Sequence, residues 1–273
     1  MIKIPIRDSL FSHAFSTSNW FKPSYFEWDF KSAPKDFIVL TDNDLFRVNE
    51  FENIKKYAWL VESCAVTSSA YRFVINNYQK FDVIFSHHEE ILKLPNARLV
   101  SIGGCHLLDN EIGLHHKKNK LVSMMYSNKN FAPGHSLRFS IANNLSDKID
   151  VMGSGKGGVN VKKALSCLDY MFSVAIENFK VDFYFTEKII DCFLSGVIPI
   201  YWGCPSIGKF FNQNGIISFN DLDELKSIVS NKDHLLNFYS SKESAIKDNF
   251  HTALKHKVGE DYLFLNNKDL LCE

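Results

Sequence analysis

The sequence has no excess of charge of either sign, because Lys plus Arg and Asp plus Glu each number 31. Nucleic-acid-binding domains carry a basic excess or a basic stripe, so the net charge gives no support to a nucleic-acid partner. The sequence has no run of about 18 apolar residues, so no transmembrane helix is predicted. Residues 1–15 lack the apolar core of a signal peptide, whereas contact with a membrane surface stays open.

Cysteine is scarce and scattered along the chain. The six cysteines form no CxxC pair, and most stand in apolar surroundings: Cys64, Cys105, Cys167, Cys192, Cys204 and Cys272. This distribution is typical of reduced thiols and not of a disulfide framework. Together with the missing signal peptide it predicts a cytoplasmic protein, with peripheral contact to the inner face of a membrane as an open alternative.

Length and composition are those of a globular protein. The 273 residues correspond to one large or two small domains. Apolar residues make up 45% of the chain, and the 24 phenylalanines indicate an aromatic core. A chain of this size buries about 75% of its unfolded surface, so its core needs no metal or disulfide.

Short apolar runs alternate with helical patterns. We predict strands at 36–44, 55–63, 80–87, 97–104, 120–128, 148–155, 169–178, 197–203 and 214–219. Helices are predicted at 135–147 and 186–196, and the pattern after residue 219 is helical. This alternation is typical of an α/β chain with mainly parallel sheets. The opening 30 residues fit no clear pattern.

The polar stretch 108–120 separates the strands into two series, and we interpret it as an interdomain linker. We therefore predict an N-terminal domain over 1–115 and a C-terminal domain over 116–273. The last helices are expected to cross back to the first domain. In sheets of this kind, ligands bind at the carboxyl ends of the strands.

A Thr-Glu-Lys triplet opens the helix predicted at 186–196. Thr186 is a favourable N-cap, and Gly196 is a stop signal. Glu187 suits the positive end of the helix dipole, whereas Lys188 does not. A lysine beside the free N–H groups of a helix N-terminus points to a phosphate site, and the glutamate beside it could bind a ribose diol.

Glu177 and Asn178 follow a buried strand just upstream of that triplet. A strand, a polar loop and a helix N-terminus in this order predict a nucleotide pocket. The alternative is an ordinary capped helix with a solvated glutamate and lysine.

The segment 172–211, FSVAIENFKVDFYFTEKIIDCFLSGVIPIYWGCPSIGKFF, resembles the signature region of glycosyltransferase family 10, the α1,3/4-fucosyltransferases. That family carries Glu-Asn, then Tyr-x-Thr-Glu-Lys, then a helix and a strand that ends in Trp-Gly. Order and spacing agree at Glu177, Asn178, Tyr184, Thr186, Glu187, Lys188, Pro199, Trp202, Gly203 and Pro205. The resemblance is to the bacterial and viral type.

The segment 123–155 resembles the family's Ser-Asn block, followed by a helix with an arginine and a strand that ends in glycines. Arg138 matches the arginine that holds the donor diphosphate, where a guanidinium forks onto phosphate oxygens. The alternative is an arginine on a solvated helix face. The run GSGKGG at 153–158 is not a P-loop, because glycine follows its lysine. Gly153 and Ser154 are predicted to let the donor approach the backbone, with a plain loop as the alternative.

The segment 57–66, YAWLVESCAV, resembles the family's Glu-Ser-Pro segment, with Cys64 in place of proline. Glu62 matches the glutamate that acts as general base in that family. Inverting transfer needs one carboxylate opposite the donor to take the proton of the acceptor hydroxyl. Partial desolvation after Trp59 would raise the basicity of Glu62. The alternative is a surface glutamate at a strand end.

The resemblance implies an α/β fold of the GT-B-like type, with two Rossmann-like domains facing a cleft. It further implies an inverting, α1,3-type transfer of L-fucose from GDP-fucose to a hydroxyl of a glycan acceptor. Arg138 and Lys188 would hold the diphosphate, and Asn178, Tyr184 and Glu187 would contact sugar, phosphate or ribose. Because these charges stabilise the leaving nucleotide, no metal or other cofactor is expected.

Two alternatives to fucose transfer stay open. One is a related transferase that uses another GDP-sugar or a UDP-sugar. The other is a non-catalytic glycan- or nucleotide-binding protein on the same fold. Lesser candidates are two histidine pairs at 87–88 and 115–116, interpreted as solvated loop residues because metal-ligand spacing is missing. The Asp-Asn-Asp sequence at 42–44 is interpreted as a turn.

Overall fold

The computed structural model describes residues 1–9, 16–154 and 163–272. The strands are β1 (Ile2–Arg7), β2 (Phe26–Asp29), β3 (Phe37–Thr41), β4 (Lys55–Trp59), β5 (Val83–Ser86), β6 (Ala97–Leu99), β7 (Lys120–Met125), β8 (Asp150–Met152), β9 (Tyr170–Ile176), β10 (Ile198–Trp202) and β11 (Ile217–Ser218). Each strand predicted from the sequence contains an observed strand that is a few residues shorter.

The α-helices are α1 (Ser68–Asn77), α2 (Glu89–Leu92), α3 (Pro133–Asn144), α4 (Glu187–Leu194), α5 (Leu222–Ser230), α6 (Lys232–Ser240), α7 (Glu243–Leu254), α8 (Gly259–Asn266) and α9 (Lys268–Leu271). The helices predicted at 135–147 and 186–196 correspond to α3 and α4. Among the described residues, no helix combines the length and the apolar character that crossing a bilayer requires.

The strands form two parallel sheets. The order of the first is β2-β1-β3-β4-β5-β6, and that of the second is β11-β10-β9-β7-β8. All of the strand pairs in the described part of the chain are parallel. Parallel strands are covered on both faces, and β3 (FIVLT) and β10 (IPIYW) are accordingly apolar along most of their length. The predicted α/β class with parallel sheets is confirmed.

Alternate residues of β3 cover opposite faces of the first sheet, as the two-residue period of a strand requires. Val39 lies in the apolar cluster that contains Leu263 of α8. Leu40 lies in the cluster that contains Val74 of α1. The helices nearest the C-terminus therefore cover one face of the first sheet. The domain boundary between residues 115 and 116 stays a prediction.

The opening of the chain contributes two strands that the sequence patterns did not indicate. β1 pairs with both β2 and β3, so it lies inside the first sheet. Pro5 stands in the middle of β1, and proline removes a ladder hydrogen bond, which is why the segment does not read as a strand. β2 has only four residues, which is too short for a periodic pattern.

The two halves touch at the carboxyl ends of their strands. Gly103 and Thr186 form an isolated parallel bridge, and the Gly103 N–H donates to the Phe185 carbonyl oxygen at 3.2 Å. Because β4 ends at Trp59, Glu62 lies in the loop beyond the strand and not at its last position. The loops that carry polar residues in both halves therefore face one another.

Candidate active site

A cavity of about 420 Å³ lies between the carboxyl ends of the two sheets. Both halves line it, the first with residues such as Glu62 and His106 and the second with residues such as Arg138. Seven of the ten site residues predicted from the sequence are in its wall: Glu62, Arg138, Asn178, Tyr184, Thr186, Glu187 and Lys188. The sequence motifs therefore converge on one space.

The N-terminus of α4 opens onto this cavity. Thr186 is the N-cap, and its hydroxyl oxygen accepts a hydrogen bond from the Lys188 backbone N–H at 3.5 Å. The Lys188 ammonium lies 3.0 Å from the same hydroxyl oxygen. The first N–H groups of a helix have no partner inside the helix, and the helix dipole is positive there. Together with the ammonium group they make a site for an anion.

Glu177 is fully buried behind this helix end and does not line the cavity. Its carboxylate accepts hydrogen bonds from the Thr186 N–H at 2.9 Å and from the Thr186 hydroxyl at 2.7 Å. The hydroxyl of Tyr201 donates to it at 3.4 Å. Glu177 thus holds the residue that caps α4.

Lys188 keeps its charge at the edge of the cavity. Its ammonium lies 3.5 Å from the Glu177 carboxylate and 3.3 Å from the Glu187 carboxylate. Burial opposes the charged form, but Glu187 and Glu177 together hold the pKa of Lys188 above its usual value. Glu187 in turn lies 3.9 Å from Nδ1 of His106. An anionic ligand that enters the cavity at this point would therefore meet the positive charge of Lys188.

Arg138 is buried in the cavity wall on α3. Its guanidinium Nη2 donates to the Ile176 carbonyl oxygen at 2.8 Å and to Oδ1 of Asn178 at 3.0 Å. Burial lowers the pKa of Arg138, while Glu177 and Glu187 oppose that change. The end of β9 therefore fixes the guanidinium beside Asn178. The other N–H groups of the guanidinium can donate hydrogen bonds to a ligand in the cavity.

Tyr184 is fully buried, and its ring lies 4.7 Å from the ring of His87. His87 is also fully buried, and burial lowers the pKa of its imidazole to about 3. The interpretation of His87 as a solvated loop residue is therefore wrong. Nε2 of His87 lies 3.2 Å from the hydroxyl of Tyr71. The ring contact between His87 and Tyr184 thus connects the first half of the chain to a residue in the cavity wall.

Glu62 lies in the wall opposite α4. Burial raises the pKa of its carboxyl, although Lys188 lowers it through the cavity, and Glu187 adds to the increase. A carboxylate with a raised pKa is a stronger base than an ordinary one. The Glu62 carbonyl oxygen accepts a hydrogen bond from the hydroxyl of Tyr71 at 2.7 Å, which fixes the loop.

Asp42 fixes the loop that carries Glu62 through hydrogen bonds to its backbone. Its carboxylate accepts hydrogen bonds from the backbone N–H groups of Val61 at 3.1 Å and Glu62 at 3.2 Å. Burial raises the pKa of Asp42 to about 8. The interpretation of residues 42–44 as a turn is wrong, because Asp42 begins a 3-10 helix over Asp42–Glu50. Its φ of 36° is in the left-handed region, which aspartate and asparagine adopt more readily than most residues.

Gly153 and Ser154 follow β8 and do not line the cavity. Gly153 has a φ of 107°, and a Cβ atom there would lie 2.2 Å from the Tyr126 carbonyl oxygen. Glycine is therefore required for the close contact with Tyr126, which does line the cavity. The remainder of the GSGKGG run, residues 155–158, is outside the described residues.

Several polar residues in the cavity wall were not predicted from the sequence: Thr17, His106, Ser127, Lys129, His135 and Asp191. Most come from loops, or from helix positions that carry no local signal. The Ser-Asn block was visible as part of the family resemblance, and Ser127 and Lys129 lie in or beside it. Thr17 and His106 reach the cavity through contacts distant in sequence, which periodicity cannot reveal.

Two parallel α/β halves that face a cleft, with an anion site at a helix N-terminus of the second half, define the GT-B class of fold. A crystal structure of α1,3-fucosyltransferase with GDP-fucose is similar, with a TM-score of 0.57 at 17% identity. That match covers 100% of this chain and 90% of the other. The structure of Anabaena HepE in complex with UDP has a TM-score of 0.59 at 10% identity, over 87% and 79% of the two chains. These likenesses confirm the predicted GT-B-like fold.

The chain belongs to glycosyltransferase family 10, because the family model described as "Glycosyltransferase family 10 (fucosyltransferase) C-term" matches residues 115–260, which is over half of its length. It is 30% identical over 154 residues to the α-(1,3)-fucosyltransferase FucT of Helicobacter pylori, a match that covers 55% of this chain and 31% of the relative. It is 31% identical over 101 residues to α-(1,3)-fucosyltransferase B of Drosophila melanogaster, covering 37% and 21%. The matched segments thus cover less than a third of the length of these relatives.

Proposed function

We propose that the protein is an inverting fucosyltransferase that transfers L-fucose from GDP-fucose to a hydroxyl group of a glycan acceptor, in an α1,3-type linkage. One observation carries the proposal. A carboxylate of the first half, Glu62, and two cations of the second half, Arg138 and Lys188, line the same cavity. A base and a diphosphate site on opposite sides of one space are what inverting transfer from a nucleotide-sugar needs.

The donor diphosphate would lie at the N-terminus of α4. Lys188 and Arg138 would bind its oxygens, and the free N–H groups of the helix would add hydrogen bonds. Asn178 and Tyr184 stand beside these cations in the cavity wall and would contact the sugar or the phosphate. Glu187 would accept hydrogen bonds from the ribose hydroxyls. Glu177 and Thr186 would act through the helix end that they hold.

Glu62 would act as the general base. It would take the proton of the acceptor hydroxyl while that oxygen bonds to the anomeric carbon of fucose. The bond from the anomeric carbon to the β-phosphate oxygen breaks in the same step, on the opposite face of the sugar, so the configuration inverts. Arg138 and Lys188 would balance the negative charge that the departing GDP gains.

This proposal gives no role to a metal ion. The counter-charges for the leaving group come from the guanidinium and the ammonium group, which act without one. We therefore expect transfer to proceed in excess EDTA at the rate seen without it. A loss of activity in EDTA that added Mg²⁺ or Mn²⁺ restores would contradict this part of the proposal.

The choice of fucose is supported by the family description and by the names of the two curated relatives, and GDP-fucose is the ligand of the similar α1,3-fucosyltransferase structure. The choice of a glycan acceptor is what the sequence resemblance to family 10 implies. A UDP-sugar is the alternative donor, since proteins of the same fold class bind UDP. The donor can be identified before any acceptor is known.

A thermal-shift panel with GDP, UDP, GDP-fucose, GDP-mannose and UDP-glucose tests the donor. A ligand that binds only the folded state adds about 2.7 kcal/mol of stability at a hundredfold excess over Kd. We expect stabilisation by GDP and GDP-fucose, and none by the uridine nucleotides. Stabilisation by UDP and UDP-glucose alone would refute the fucose assignment and retain the transferase class. No response to any ligand would favour a non-catalytic protein.

A further inference from the structure

His135 is a buried polar residue in the cavity wall to which no role has yet been given. The residue is 4% exposed, and within the described part of the chain its Nδ1 has no hydrogen-bond partner. Buried polar atoms in proteins have a partner in the great majority of cases. Nδ1 itself is enclosed by protein, but the imidazole lines the wall of a ligand cavity, where a rotation of the ring would bring a nitrogen to a ligand.

The position of His135 is fixed by the start of α3. The Gly134 N–H donates to the Asn178 carbonyl oxygen at 3.1 Å, and a Cβ atom on Gly134 would lie only 1.8 Å from the Glu177 carbonyl oxygen. The helix end is thus pressed against the end of β9. Arg138 follows three residues later, on the same face of the helix. The imidazole and the guanidinium consequently line the same side of the cavity.

The groups that face His135 are mostly positive. Arg138 of the same helix, Lys129 of the preceding loop and Lys188 of α4 all act on it, and the carboxylates that line the same cavity are those of Glu62, Glu187 and Asp191. The ring of Phe131 covers it edge-on, with the ring centres 4.5 Å apart. Burial, followed by these three cations, lowers the pKa of His135 to about 4. The imidazole is therefore neutral in the empty cavity at pH 7.

We propose that His135 donates a hydrogen bond to the diphosphate of the nucleotide-sugar donor and takes up a proton when the donor binds. This inference rests on the proposed function, because it needs a diphosphate in this cavity. Burial and the three cations keep the imidazole neutral; two negative phosphate groups would offset the cations and favour the charged form of the ring. The charged ring would then be a third cation on the donor, beside Arg138 and Lys188.

Isothermal titration calorimetry with GDP-fucose measures the uptake directly. A diphosphate diester lacks the ionisation near pH 6 that a terminal phosphate has, so protons taken up on binding come to the protein. Titrations at pH 6.5 in two buffers of different ionisation enthalpy give the number of protons. We expect a positive fraction of one proton for the unmodified protein and a smaller number for His135→Gln, which keeps a hydrogen-bonding amide but cannot ionise.

Affinity gives a second readout. Since uptake favours binding at low pH, the Kd of the unmodified protein should fall between pH 7.5 and pH 6, by at most about tenfold for each pH unit. In His135→Gln the Kd should change less with pH, because the contribution of His135 to the pH dependence is lost. His135→Leu, which removes the hydrogen bond as well, should bind more weakly than His135→Gln. Equal proton uptake and equal pH dependence in the unmodified protein and His135→Gln would overturn the inference.

Should the variants fail to fold, the unmodified protein still provides a test. Its histidine ring protons, followed by NMR against pH, should show one imidazole whose pKa rises when GDP-fucose is added. The absence of any such change would overturn the inference. UDP-glucose is titrated in parallel. If it binds in place of GDP-fucose, with proton uptake, His135 retains its role and only the fucose assignment fails. If neither binds, both fail.

Discussion

The carboxylate of Glu177 holds Thr186 through two hydrogen bonds, one to its N–H at 2.9 Å and one to its hydroxyl at 2.7 Å. One buried acid at the end of β9 thereby fixes the N-cap of α4. The same carboxylate lies 3.5 Å from the ammonium group of Lys188. The direction of the helix end and the position of its lysine consequently depend on a residue that does not line the cavity.

Glu177→Gln should lower both stability and donor affinity. Glutamine keeps one oxygen as acceptor, but the charge opposite Lys188 is lost, which typically costs about 1–3 kcal/mol at a buried site. Thermal unfolding and GDP titration measure the two effects. Glu243→Gln is the control, because Glu243 forms an ion pair with Lys247 on the surface, where such pairs contribute little. Equal effects of the two variants would contradict the role of Glu177.

Lys188→Ala should weaken GDP binding. A charge-assisted hydrogen bond to phosphate contributes about 1.5–3 kcal/mol, so the Kd should rise by about 10- to 100-fold. Fluorescence or calorimetric titration measures the change. Lys226→Ala, on the exposed face of α5, removes a positive charge far from the cavity wall and should leave the Kd as it is. An unchanged GDP affinity in Lys188→Ala would refute the phosphate role.

Glu62→Gln should abolish transfer and retain donor binding. Removal of a general base typically lowers the rate by about 100- to 10,000-fold, because the acceptor hydroxyl loses its proton acceptor. Glutamine is nearly the same size, so the GDP-fucose Kd should stay within a factor of a few. Transfer assays with saturating donor, run beside a donor titration, separate the two quantities. A variant that transfers at the unmodified rate would show that another group is the base.

Asp42→Ala should lower kcat and leave donor affinity almost unchanged. The variant leaves the buried N–H groups of Val61 and Glu62 without an acceptor, so the loop that carries the base loses its fixed position. Asp42→Asn is the matched control. Its side-chain oxygen still accepts these bonds, and asparagine tolerates the positive φ of this position. Equal kcat values for the alanine and asparagine variants would exclude a positioning role for Asp42.

Glu260 should make stability depend on pH. Burial raises the pKa of Glu260 from its ordinary 4.5 to about 7, although hydrogen bonds from Thr17 oppose the change. Between these values the folded state keeps a proton that the unfolded state has lost, so stability falls as pH rises through the window, by at most about 1.4 kcal/mol per pH unit. Denaturation curves of the unmodified protein and Glu260→Gln from pH 4.5 to 7.5 give the comparison.

The glutamine variant should lose the part of this slope that belongs to Glu260, because its side chain cannot ionise. Its single amide oxygen can still accept the hydrogen bond from the Thr17 backbone N–H, and its NH2 group would face the Thr17 hydroxyl oxygen and donate to it. The control is Glu243→Gln, since Glu243 is exposed and its variant should keep the slope. Parallel curves for the unmodified protein and Glu260→Gln would show that the buried carboxyl ionises normally.

The sequence by itself determined those helices and strands that are marked by residues close together in the chain. Thr186 and Gly196 mark the two ends of α4, because capping depends on the immediately adjacent backbone. The buried strands of both sheets stand out as apolar runs, since a parallel strand is covered on both faces. The motif around Lys188 also identified one side of the cavity before any contact was known.

Only the tertiary structure decided which residues meet across the cleft. Glu62 and Lys188 belong to different sheets, and their approach depends on how the two halves pack, which no local pattern encodes. The burial of His87 against Tyr184, the support of Glu62 by Asp42 and the unpaired nitrogen of His135 arise in the same way. β1 was missed because its proline opposes a strand locally, whereas pairing on both sides stabilises it in the folded sheet. Local propensity acts over a few residues, but burial and charge depend on contacts between distant ones.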